Sequence, residues 1–201
     1  MSKKIITISR QCGSGGHTVG KLVSERLGIP FYDKKLIEIV AQRSGLTEET
    51  IAREGEFAPA SLLYSIAMNL SHGYDVRSKG NMILPDQINT FQTELIKELA
   101  EKGPCVIVGR CANYILHDRS DCLHVYLHGD MEERKNRVVA EHRVLASEAE
   151  AHIRDRDRKR AKHYEHFTDQ RWGMAQNYTI CLDSSVLGIE KCVETIEALS
   201  K

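Results

Sequence analysis

Apolar positions along this chain follow two rhythms that alternate from end to end. Short unbroken runs rich in β-branched residues occur at Ile5-Ile6-Thr7-Ile8, Ile29 to Tyr32, Cys105-Val106-Ile107-Val108, Cys122 to Leu127 and Tyr178 to Leu182. Runs of this kind suit strands covered on both faces. Between them, apolar residues recur at spacings of three and four: Val19, Leu22, Val23 and Leu27; Leu36, Ile37, Ile39 and Val40; Ile88, Phe91, Leu95 and Leu99; Ile189, Val193 and Ile196. Each set is the buried stripe of a helix. Strands alternating with helices predict an α/β domain.

Turn and cap residues set the boundaries. Gly28 and Pro30 stop the first helix, which Thr18 opens, and Gly45 stops the second. Thr47 caps a short acidic helix to about Gly55, and Ala60 to Leu70 is a further helical pattern. Ser71 to Pro85 is polar and contains Gly73, Arg77 and Gly80. Residues 40–85 thus predict an insertion without strands, of the kind that can close over a substrate. Asp86 is placed as the cap of the next helix, which Gly103-Pro104 ends. Asp130 with Glu133 begins a helix over Glu132 to about Leu145, and Ser147 with Glu150 forms a second capping box.

The chemistry concentrates at the first turn. After Ile8 the chain reads Ser9-Arg10-Gln11-Cys12-Gly13-Ser14-Gly15-Gly16-His17-Thr18. Glycines here allow positive φ and close approach of a ligand to backbone N–H groups, and the helix opening at Thr18 turns its positive end to the same place. Strand, glycine turn and helix start together predict a phosphate cradle; the alternative is a tight turn with no ligand. The P-loop pattern G-x-x-x-x-G-K-[ST] is met only in part, because no Gly-Lys-Ser or Gly-Lys-Thr occurs. His17 precedes Thr18, and aligned on Gly-Ser-Gly the lysine position falls on Gly16. Lys21, one turn into the helix, and Arg10, which is nearer, are the candidate replacements.

Other candidates follow the strands. Asp33, after the second strand, either faces the ligand side of the sheet or caps the helix at Lys34. Arg110, after Gly109, either enters the crevice as a phosphate fork or pairs with a surface acid. In His152 to Arg160, Arg154 and Arg158 share one helix face and Arg156 and Arg160 another, with Asp155 and Asp157 between them; the alternative is a solvated helix face. His163 and His166 have no partners completing a metal site.

Composition narrows the classes. The 201 residues carry 28 Lys+Arg against 28 Asp+Glu, a formal charge of zero that argues against a general nucleic-acid or membrane-surface binder. No apolar stretch is long enough to span a bilayer and no signal peptide is evident, so a cytoplasmic protein is expected. The 6 cysteines form no C-x-x-C pair and are expected as reduced, mostly buried thiols; Cys12 becomes reactive only if the helix end lowers its pKa.

The order Ser9-Arg10-Gln11-Cys12-Gly13-Ser14-Gly15-Gly16, Phe31-Tyr32-Asp33, Val108-Gly109-Arg110, Ile153-Arg154-Asp155-Arg156-Asp157-Arg158 and Leu182-Asp183-Ser184-Ser185 resembles the nucleoside monophosphate kinases, and among them the cytidylate kinase-like proteins. The resemblance spans nearly the whole chain. It implies one P-loop domain over residues 1–201: a five-stranded parallel sheet between helices, a monophosphate-binding insertion at about 40–85 and a lid at about 147–171. It implies ATP on Arg10, Gly13, Ser14, Gly15, Gly16, His17 and Thr18, with Mg²⁺ held by Thr18. The acceptor would lie near Asp33, Arg110 and Cys111, and the lid would bring Arg154 and Arg158, with Arg110, onto the transferring group. The function implied is ATP-dependent phosphoryl transfer to a nucleoside monophosphate or another small acceptor, with no nucleic-acid or membrane partner. Two departures stand out: Gly16 replaces the family's loop lysine, and Cys111 replaces the aspartate of Gly-Arg-Asp that helps read cytosine. A nucleotide-binding protein that no longer catalyses transfer is the rival expectation.

Overall fold

In a computed structural model of the chain, the residues described are 4–54, 84–142 and 144–201. In order they form β1 (Ile5–Arg10), α1 (Gly16–Leu27), β2 (Phe31–Tyr32), α2 (Lys34–Ser44), α3 (Glu48–Glu54), α4 (Leu84–Lys102), β3 (Cys105–Val108), α5 (Ala112–Ile115), β4 (Cys122–His128), α6 (Met131–His142), α7 (Ala149–Thr168), β5 (Ile180–Asp183) and α8 (Ser184–Ser200). The strands make one 5-stranded sheet in the order β2-β3-β1-β4-β5. Every pair is parallel. Strand order reverses about β1, with β3 on one side and β4 on the other. Crevices for ligands open beyond the carboxyl ends of strands at such a reversal.

Alternation along β1 divides the core in two. Ile5 packs with Leu36, Val40, Leu95, Ile96 and Leu99 from α2 and α4. Ile6 and Ile8 pack on the opposite face with Val19, Val23, Val193 and Ile196 from α1 and α8. Arg10 continues the Ile6–Ile8 series and so leaves the sheet on the α1 side. Gly20 lets α1 lie close to the sheet: a Cβ there would meet Phe31 at 2.9 Å and Val108 at 3.0 Å.

Boundaries differ from the sequence expectation in instructive ways. β1 runs on through Ser9 and Arg10, and α1 begins at Gly16 rather than Thr18. The glycines are therefore the helix start, not merely the turn before it. Asp86 does not cap α4, which starts at Leu84; the acid lies within the first turn, where it still meets the positive end of the helix. The Ser147 box also fails, because Glu148 precedes α7 and makes no capping bond. Asp130 does cap α6, its Oδ1 accepting from Glu133 N at 2.9 Å. The helix expected over Ala60 to Leu70 and most of the polar run after it lie outside the described residues. No helix among the described residues is long and apolar enough to cross a membrane.

Two stability changes follow. Asp183 caps α8, its Oδ1 accepting from Ser185 N at 2.9 Å and Val186 N at 3.4 Å. Asp183→Ala should cost about 1 kcal/mol, read as a shift of the urea midpoint at unchanged slope. Gly20→Val should cost about 2 kcal/mol or more by overpacking the α1–sheet contact.

Candidate functional site

The loop from Gln11 to Gly15 is set by hydrogen bonds to β4 and α6. Gln11 N donates to Leu127 O at 2.9 Å, and the Gln11 side chain accepts from Gly129 N at 3.2 Å. Ser14 is turned inward: its hydroxyl lies 2.9 Å from the Gln11 carbonyl and 3.2 Å from that of Leu127, and its amide also donates to Gln11 O. Arg134 Nε donates to Cys12 O at 2.8 Å, and Arg137 Nη1 to Gly13 O at 2.9 Å. The loop carbonyls are thus held from α6, away from the helix start.

Helix α1 presents its first turn to this loop with no side-chain cap and no acid. Its leading amides would stay unmet without an outside acceptor. Gly13 and Gly15 have φ of 77° and 78°, and a Cβ on Gly15 would strike Ile189. This arrangement fits an anionic group such as the polyphosphate of ATP. Thr18 lies in the same first turn, and a Mg²⁺ ion would find its hydroxyl there together with oxygens of the nucleotide. No cluster of three or more His, Cys, Asp or Glu among the described residues could cage a metal by itself.

His17 and Asp33 are brought together. Asp33 Oδ2 lies 2.6 Å from His17 Nδ1 and makes no capping bond to α2. Of its two sequence-level roles, the cap is therefore not taken. Lys21 is turned to solvent, 3.8 Å from Glu25, whereas Arg10 lies in the crevice.

The crevice is lined by Arg10, Arg110, Arg160, His163, Tyr164 and Trp172 among others, and none of its described lining residues is acidic. Its cavity volume is about 30 Å³, room for a water molecule or so. Arg110 is buried here rather than on the surface, its Nη1 3.4 Å from Ile51 O. Gly109, Arg110 and Cys111 have φ of 78°, 55° and 53° in succession. For the two non-glycine residues this left-handed backbone costs roughly 1–2 kcal/mol each. It is held by β1 and by α5, with Gly109 N donating to Ile8 O at 3.0 Å and Ile115 N to Cys111 O at 3.0 Å.

Cys111 points inward, its Sγ 3.6 Å from His163 Nδ1, and burial pushes its pKa up to about 12. Cys12 is raised as well, chiefly by burial and against the pull of Arg160. The condition set for a reactive Cys12 is therefore not met: desolvation outweighs the pull of the nearby cations.

Helix α7 meets the loop along one stripe. Ala149, Ile153, His163, Tyr164 and Thr168 are its buried residues, and Asp157 and Arg160 fall in phase with them. Asp157 Oδ1 accepts from Cys12 N at 2.7 Å, and its other oxygen pairs with the buried Arg134. Arg160 Nη1 donates to Arg10 O at 3.3 Å. Arg154 and Arg158 lie on the other side, 67% exposed, paired with Glu150 and Asp155 of the same helix. The lid face assigned from sequence to the reacting group is thus the solvent face here, because Ile153 fixes the roll of the helix. Asn113, passed over in the sequence, is also part of the site: buried, it accepts from Ser9 Oγ at 3.3 Å and donates to Tyr164 Oη at 2.9 Å.

Removing the charge of Asp157 leaves Arg134 buried without its counter-ion, so Asp157→Asn should destabilise by about 3 kcal/mol in urea unfolding. Raised pKa values keep Cys12 and Cys111 as thiols near neutral pH, so iodoacetamide at pH 8 should spare both in the folded protein and label them once it is denatured.

Comparison with known proteins agrees with this geometry. A solved structure of an uncharacterized protein from Eubacterium ventriosum superposes with a TM-score of 0.72 at 25% identity, covering 98% of this chain and 97% of that one. Shikimate kinase from Bacteroides thetaiotaomicron gives 0.55 at 17% identity, covering 97% and 96%. A sugar kinase from Janibacter gives 0.52 at 12% identity, covering 98% and 94%. At such identities the two kinases show a shared fold, that of the P-loop kinases. Comparison with curated protein sequences gave no match. The model of the cytidylate kinase-like family matches residues 5–186, and the chain belongs to that family.

Proposed function

We propose that this protein is an ATP- and Mg²⁺-dependent phosphotransferase acting on a small acceptor of the nucleoside monophosphate type. One observation carries the proposal: an uncapped helix start opens beside a crevice lined by Arg10, Arg110 and Arg160, with no acid among its described lining residues. Phosphoryl transfer asks the protein for positioning and for fixed positive charge around the moving group, and little else.

ATP supplies the phosphoryl group. The amides of Gly13 and of Gly15 to Thr18 hold its anionic end, and Thr18 offers its hydroxyl to Mg²⁺. The Ser14 amide, already bonded to Gln11, is not among them. Arg110 and the Asp33–His17 pair bound the acceptor side. Cys111 offers no acceptor comparable to a carboxylate, so the acceptor's base is not selected as in enzymes carrying Gly-Arg-Asp. Arg160, on the inner stripe of α7, takes the role expected of Arg154 and Arg158.

The rival reading, a nucleotide-binding protein without turnover, is favoured by Gly16, which removes the usual lysine. Kinetics separate the two. ADP release should exceed the blank with at least one member of a panel of CMP, dCMP, UMP, AMP and small hydroxylated metabolites. Arg160→Ala should then lower kcat by about a hundredfold, while Arg154→Ala stays near wild type. Saturable ATP binding with no ADP release for any acceptor would establish the rival reading instead.

A further inference from the structure

The glycine loop departs from the P-loop pattern at three positions, and two of the departures are one exchange. With Gly15 as the second glycine of G-x-x-x-x-G-K-[ST], the first glycine falls on Arg10, the lysine on Gly16 and the Ser/Thr on His17, so that Thr18 stands one residue beyond. The chain thus has arginine and glycine where the pattern has glycine and lysine. These positions touch. A Cβ on Gly16 would lie 2.6 Å from both Cβ and Cγ of Arg10 and 3.4 Å from its Cδ. Those atoms are the root of the arginine and cannot swing aside as its tip could. The space holds one side chain, from position 10 or from position 16, and never both.

Alternation along β1 gives the direction. Arg10 follows Ile6 and Ile8 on the α1 side, so its stem passes against the first turn of α1. Its guanidinium reaches Gly109 at the end of β3, where an added Cβ would collide with Nη1. The head therefore lies at the mouth of the crevice, between the anion-accepting helix start and Arg110. We infer that Arg10 is the loop's phosphate-binding cation, moved from the helix to the strand, and that Gly16 is glycine to make room for it. This rests on the function proposed above and specifies how the triphosphate is held without a lysine. A guanidinium here can meet two phosphate oxygens at once, which an ammonium does only as a point charge. Arg160 is a different element of the site, because it arrives on α7 and not on the loop.

The exchange is tested with Arg10→Gly, Arg10→Gln, Gly16→Lys and the double variant R10G/G16K, in the full-length protein. Melting temperature, affinity for tripolyphosphate and for ATP with Mg²⁺ by calorimetry, and ADP release with the best acceptor are measured for each. Arg10→Gly and Arg10→Gln should weaken tripolyphosphate binding by about ten- to a hundredfold, the loss of a charge-assisted contact. Arg10→Gln keeps the stem, so it reads the charge even if the glycine variant unfolds. Gly16→Lys alone should lower the melting temperature, because two side-chain roots collide. The double variant should recover both melting temperature and binding, a non-additivity that independent sites would not give. Wild-type affinity in Arg10→Gln, or a double variant that binds no better than Arg10→Gly, overturns the exchange while leaving the site's function standing. A wild-type protein that binds neither tripolyphosphate nor ATP overturns the proposed function and the exchange with it, and is recognised before any variant is made.

Discussion

Gly13, Gly15 and Gly16 lie closer to their neighbours than a methyl group allows. A Cβ on Gly13 would come within 2.6 Å of the Arg134 carbonyl, one on Gly15 would strike Ile189, and one on Gly16 would enter Arg10. Each neighbour belongs to a different element: α6, α8 and β1. The loop can therefore be wrapped on three sides only because it has no side chains there. With the flanks filled and the carbonyls of Cys12 and Gly13 bonded to Arg134 and Arg137, the amides of Gln11, Cys12 and Ser14 are met within the protein, and those from Gly15 onward stand at the open start of α1. Backbone N–H groups gathered by crowding of this kind form the sort of concavity that suits an anion.

A second backbone feature completes the crevice. The run of positive φ from Gly109 to Cys111 turns the chain sharply at the end of β3 and buries both the Arg110 guanidinium and the Cys111 thiol. Two non-glycine residues in this conformation are unfavourable and need a surrounding that fixes them. The Gly109 amide bonded to β1 and the turn of α5 bonded to Cys111 provide it. Asn113, one residue into α5, then ties β1 to α7 through Ser9 and Tyr164. The strained turn is thereby linked to the helix that carries Arg160, and the crevice is built as one hydrogen-bonded unit.

Much of this was legible in the amino-acid sequence because it rests on local rules. The apolar runs marked all five strands: β1, β3 and most of β4 are buried on both faces and show no alternation, and the half-buried edge strands β2 and β5 stood out by their apolar residues alone. The glycine turn and Arg110 were found from their places at strand ends. What was missed depends on tertiary phase. In α7, Arg154/Arg158 and Arg156/Arg160 are indistinguishable by spacing, and only the roll imposed by Ile153 decides between them. The apolar phase from Ala149 through Ile153 to Tyr164 was present in the sequence, but the interleaved charges hid it. Asp157 and Arg134 were unremarkable as single charges, 23 positions apart; burial against the loop gives them meaning. Asp33 remained ambiguous for a similar reason, because only the approach of His17 shows where its carboxylate is engaged.

Net charge does not say how the charges are placed. Acids and bases are equal in number, yet the crevice is lined by three arginines with no acid among its described lining residues. The difference lies in where the acids are. Glu98 pairs with Arg43 and Lys102, Glu190 with Arg26, and Glu150 with Arg154, all in exposed contacts. Such surface pairs contribute little to stability, but they take the acids to the surface and away from the strand ends. Asp157, Asp33 and Asp183 lie beside the loop or at strand ends, and each is engaged: Asp157 with Cys12 N and Arg134, Asp33 with His17 and Asp183 with the start of α8. What then faces the crevice is arginine from three separate elements, Arg10 from β1, Arg110 from the turn after β3 and Arg160 from α7. A neutral chain thus gathers positive charge at the strand ends by distribution alone, and the field there is set by those few fixed guanidinium groups rather than by net charge.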